Sequence, residues 1–116
     1  MIRYKNESGS VNVGIRVYTE IAGTAAVNCF GVKGMAARSV RDGLYHLLRK
    51  ESASKGVRIK FHEDNSISID LHIMVDNGVN LGAVGNSIIS EVRYVVQKST
   101  GTEVRAVNVY VDSMNS

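Results

Sequence analysis

Three histidines and a single cysteine are the side chains in this sequence best suited to hold a metal or carry a reaction. His62 is followed directly by Glu63 and Asp64, and His72 stands two residues after Asp70. Imidazole and carboxylate at such spacing on a hairpin are a donor set for zinc. His46 lies far away in sequence. Solvated strand and turn positions account for the same residues without any convergence, so no metal and no cofactor is expected. Cys29 becomes a nucleophile only where a base lowers its pKa. Its place on an apolar helical stripe marks it instead as a buried, inert thiol. Asp70, Asp76 and Asp112 are dispersed, with no evident pairing for acid–base work. No nucleophile-elbow, Walker or dinucleotide motif occurs, so no catalytic residue is assigned and the chain is not expected to be an enzyme.

Gly31-Val32-Lys33-Gly34 is the sharpest motif. A GxxG loop between two helices clamps nucleic-acid phosphates in KH domains. Its glycines admit backbone N–H groups to the phosphate, and Lys33 would add charge. Arg38, Arg41, Arg49 and Lys50 would extend a basic surface. The plainer account is that Gly31 ends one helix and Gly34 turns the chain. A net charge of +3 and a pI near 9.2 favour acidic partners only slightly. Single-stranded RNA binding through residues 31–34 is therefore the alternative, not the first reading.

Positioning elements follow from the periodicities. Residues 10–13 alternate as a short edge strand. Gly14 precedes a helix over about 15–29, with Val17, Ile21, Ala25 and Cys29 in one stripe and Ala22 and Ala26 widening it. Its small residues Gly23, Ala25 and Ala26 permit close approach of another element. Val40, Leu44, Leu47 and Leu48 predict a second helix over about 37–51, with a loop at 52–56. Val57, Ile59 and Phe61, then Ile67 to Val75 at every second position, predict a hairpin over 57–75 with one buried face. That register sets Arg58 opposite Asp70 on the solvated side. Asn80 caps a third helix over about 81–98. A last strand spans about 104–112. The order is β-α-α-β-β-α-β, an α+β two-layer sandwich with a mainly antiparallel sheet and helices on one face.

The chain of 116 residues is one domain, 1–116, with a core over about 10–112 and polar tails at 5–10 and 113–116 that fray. Its hydrophobic fraction of 44% and charged fraction of 22% are those of an ordinary globular domain. No apolar run is long enough to span a bilayer, and the first residues lack a signal-peptide apolar region, so a cytoplasmic location without direct membrane insertion is expected.

Several segments, in order, resemble the alkaline-shock, or envelope stress response, proteins of Gram-positive bacteria. They are Ile21-Ala22 with Ala25-Ala26, Phe30 to Met35, Lys55-Gly56-Val57, Asp70 to Ile73, Asn77 to Leu81, Thr100-Gly101 and Val107 to Val111. The resemblance covers about residues 10–112. Gly14 stands where the family usually has serine, and Gly82 where it often has proline, the marks of a divergent member. The resemblance implies a non-catalytic cytoplasmic scaffold that self-associates, attaches to a membrane-anchored protein partner and supports envelope homeostasis. It also implies no cofactor.

Overall fold

A computed structural model describes residues 2–38, 45–47 and 50–115. Strand β1 (Ile2–Asn6) pairs antiparallel with β2 (Gly9–Val13) as a separate hairpin. Helix α1 (Ile15–Val27) follows, then β3 (Val32–Arg38), β4 (Tyr45–Leu47) and a 3-10 segment (Lys50–Gly56). Strands β5 (Val57–Phe61) and β6 (Ile67–Asp76), helix α2 (Leu81–Thr100) and β7 (Val104–Asn115) complete the chain. The architecture is α+β with two layers.

Strand β6 organises the sheet. Ile67, Ile69, Leu71, Ile73 and Val75 point into the core, and each is fully buried. This is the period-2 alternation of a strand with one covered face. Strand β7 runs parallel to β6 along residues 67–76 and takes one edge. Parallel neighbours need a crossover, which α2 supplies. The other edge of β6 is shared: β5 pairs antiparallel with residues 67–71 and β3 with residues 73–75. The two partners meet at Gly56. A Cβ there would stand 2.9 Å from Met35 Cβ, 3.0 Å from the Ala36 carbonyl oxygen and 3.2 Å from that of His72. Only glycine fits such a junction without displacing backbone.

Both helices bury their inner faces in the same core. For α2 these residues are Val84, Ile88, Val92 and Val96. Its capping follows the expectation: Asn80 Oδ1 accepts from the Ala83 N–H at 3.0 Å, and Gly101 closes the end at φ +73°. Helix α1 starts at Gly14 without a side-chain cap. Its buried stripe is Tyr18, Ala22, Ala25 and Ala26; Val17, expected on that stripe, is 44% exposed. The close approach that its small residues permit is to the 3-10 segment. A Cβ on Gly23 would lie 3.1 Å from the Ala53 carbonyl carbon.

The helix expected over 37–51 is corrected. Residues 32–38 and 45–47 are strands paired antiparallel with each other, and 50–56 is 3-10, not loop. Val40, Arg41, Leu44, Leu48 and Arg49 lie outside the described residues. Met35 and Ala36 are fully buried, and the half of β6 beyond β5 provides the ladder that β3 completes. Tertiary pairing overrides a local helical period. Both ends are also more ordered than tails. Residues 5–10 belong to the β1–β2 hairpin, whose turn is held by Asn6 Oδ1 accepting from the Ser8 and Gly9 N–H groups, and β7 reaches Asn115.

Candidate functional site

Helix α1 ends at Asn28, and the chain then turns through Cys29 and Phe30. Gly31 takes a left-handed φ of +86°, and its carbonyl oxygen accepts from the Asp76 N–H at 3.1 Å, pinning the loop to the end of β6. A Cβ on Gly31 would stand 2.9 Å from Val84 Cγ2. The loop therefore lies hard against α2, and Phe30 points outward at 89% exposure. Beside it is a groove of about 420 Å³ lined by Phe30, Val79, Ala83 and Val84, with Asn77, Asn80 and Ser87 supplying polar groups. An exposed aromatic next to an apolar concavity is the form that protein-binding anchors take.

The Gly31–Gly34 motif is placed differently from the expected interhelical loop. Val32 pairs with Val75 and Gly34 with Met74, while Lys33 is the bulged residue between them. Lys33 is exposed and Gly34 buried. The segment opens a strand, so it lacks the helix–loop–helix setting that phosphate clamping by GxxG requires.

On the sheet face away from the helices, Arg58 lies opposite Asp70 in the ladder, as the hairpin register predicts. Asp70 Oδ1 accepts from Asn108 Nδ2 at 2.9 Å. The carboxylates are less dispersed than expected: Asp112 Oδ2 lies 2.9 Å from His72 Nδ1, and the His72 ring stacks on Tyr110 with centroids 4.9 Å apart. His62 Nε2 engages Ser68 Oγ at 2.7 Å, on a different part of the face. The two histidines thus serve separate strand contacts. Asp64 belongs to the turn, where it accepts from the Ser66 hydroxyl and N–H and from Arg105. Those bonds, Ser66 first, hold its carboxyl down at about 2. Cys29 is half-buried and donates to the Ala25 carbonyl oxygen; burial, then the Glu91 carboxylate, push its thiol upward. That is the direction of an unreactive cysteine. A second groove, of about 460 Å³, runs between α1 and α2 beside Ile21, Ala25 and Val95, with Glu20 and Glu91 on its walls.

Sequence reasoning did not single out Phe30 as a contact residue. The available signal was a large aromatic followed by glycine just past a helix end.

A family model for the alkaline shock protein 23 family, described as having a cell envelope-related function, matches residues 3–116. "Uncharacterized protein YloU" of Bacillus subtilis (strain 168) is 35% identical over 114 residues, covering 97% of this chain and 94% of the relative. "Uncharacterized protein Spy1614" of Streptococcus pyogenes serotype M6 is 32% identical over 114 residues, covering 97% and 93%. "Uncharacterized protein YqhY" of B. subtilis is 27% identical over 103 residues, covering 89% and 75%. No solved structure matches the chain. Among the described residues, no helix is long and apolar enough to cross a membrane.

Proposed function

We propose, from the premise that this chain belongs to the alkaline shock protein 23 family, that it is a non-catalytic interaction domain of the cytoplasm. It self-associates and docks onto a membrane-anchored protein, and so supports envelope homeostasis. The family's envelope-related function supports the setting. Phe30, 89% exposed beside its groove, is the observation that carries the docking role. Desolvating such an aromatic in a partner's pocket contributes most where it is rigidly presented, and the Gly31–Asp76 hydrogen bond holds this one in place.

The test is co-sedimentation of the purified chain with membranes from a Gram-positive bacterium. Binding is expected to native membranes, to be lost after protease shaving of their cytoplasmic face, and to be lost in Phe30→Asp with its melting temperature unchanged. Equal binding to protein-free lipid vesicles, or full binding by Phe30→Asp, overturns the reading.

A further inference from the structure

We infer that the free edge of β7 is the surface through which two copies of this chain join, antiparallel across a twofold axis, into one continuous sheet. This rests on the self-association proposed above and names its surface.

The observation is a difference among sheet edges. Among the described strands, β7 pairs only with β6, which leaves its other edge open. That edge belongs to a strand of 12 residues, whereas the opposite side ends in β5, with five residues, and β4, with three. The short β5 carries Arg58 and Lys60, the charges with which proteins usually blunt an edge. Strand β7 contains no lysine and no proline, and its one arginine, Arg105, stands near its start and bonds Asp64. It leaves Tyr110, Val111 and Met114 exposed toward its C-terminal end. Its ladder with β6 is irregular at Arg105 and at Asp112, and between them residues 106–111 run unbroken. An open, regular and largely apolar stretch of this kind is a template for another strand.

The sequence of β7 indicates which strand fits. Val107, Val109 and Val111 share the core side of the sheet, in register with Ile69, Leu71 and Ile73. They are symmetric about Val109. An antiparallel copy centred there sets Val109 against Val109 and Val107 against Val111 on one face, and Asn108 against Tyr110 on the other. Such same-face neighbours are the unit of sheet stabilisation. Val107 is 5% exposed and Val111 39%, so the match covers the more open valine with the more sheltered one. The self-complementary strand therefore selects a second copy of this chain as its occupant, in the isologous arrangement of a closed dimer.

Sedimentation equilibrium and disulfide trapping test this together. The wild-type chain is expected at twice its monomer mass. Val111→Lys, which places a cation on the edge, is expected at monomer mass with an unchanged circular dichroism spectrum. In a Cys29→Ser background, Val109→Cys is expected to trap a dimer under mild oxidation. A mixture of Val107→Cys and Val111→Cys chains is expected to trap one another in preference to themselves. An oligomer that survives Val111→Lys and gives no Val109→Cys crosslink overturns the edge assignment while self-association stands. A wild-type chain that remains monomeric at high concentration overturns both.

Discussion

The hydroxyl of Tyr18, in the first turn of α1, lies 2.6 Å from Thr102 Oγ1, 84 residues later in the chain. Tyr18 is fully buried and Thr102 nearly so. The Tyr4 hydroxyl reaches the same threonine oxygen at 2.6 Å from the outer hairpin. One hydroxyl thus joins the N-terminal hairpin, the first helix and the entry to β7.

Thr102→Val removes that shared partner and leaves the Tyr18 hydroxyl buried without it. The expected loss is about 1–3 kcal/mol, the cost of stranding a buried polar group. Urea unfolding measures it. Tyr4→Phe leaves the Tyr18–Thr102 bond intact, so its loss should be smaller and confined to faster hydrogen exchange in residues 2–13.

Gly56→Ala forces a methyl group into the junction where β3 and β5 meet on β6. With Met35 Cβ at 2.9 Å and two carbonyl oxygens within 3.2 Å, backbone must move. Overpacking of this kind costs about 1–3 kcal/mol, read as a lowered melting temperature. An unchanged melting temperature would show that the two strands can part freely there.

Asp64 titrates at about 2, below its ordinary value of 3.8, because Ser66 and then Arg105 bond its ionised form. A depressed carboxylate contributes stability that is present above its unfolded pKa and lost as pH falls through the folded one. Stability should therefore decline between about pH 4 and pH 2. Asp64→Asn should flatten that part of the urea-midpoint profile. An unaltered slope in the variant would assign the acid sensitivity to other groups.

Cys29 should react with iodoacetamide more slowly than an unperturbed thiol at neutral pH, since burial and Glu91 both disfavour its thiolate. The rate should climb only as the solution becomes distinctly alkaline. Glu91→Gln should accelerate it slightly. Labelling as fast as free cysteine at neutral pH would contradict this environment.

The parts of the fold that read directly from sequence are those where local pattern and tertiary demand agree. Strict alternation in Val57–Phe61 and Ile67–Val75 gave the hairpin and the Arg58–Asp70 register. Asn80 and Gly101 marked the ends of α2. The helix over 37–51 is misread because Val40, Leu44, Leu47 and Leu48 at helical spacing carry no trace of the ladder that takes up residues 32–38 and 45–47. Val32 and Met35 are strand residues because the distal half of β6 takes them as partners, and Ala36 continues the strand against Leu47 of β4. Phe30 was equally silent: one aromatic beside glycines carries no sign of the outward placement that the fold gives it. The shared threonine joins residues 98 positions apart, beyond the reach of any local pattern.

The divided edge of β6 gives the domain two zippers on one spine. The β5 zipper closes across a five-residue turn, so little chain entropy opposes it and it can form early. The β3 zipper must bring together Val32 and Val75, 43 residues apart by their numbers, so its closure waits for the helices to pack. Native-state hydrogen exchange should therefore separate the amides that bind β3 from those that bind β5 into two cooperative units. The β3–β4 flap could then lift away and return while the hairpin, α2 and the β7 edge hold their places.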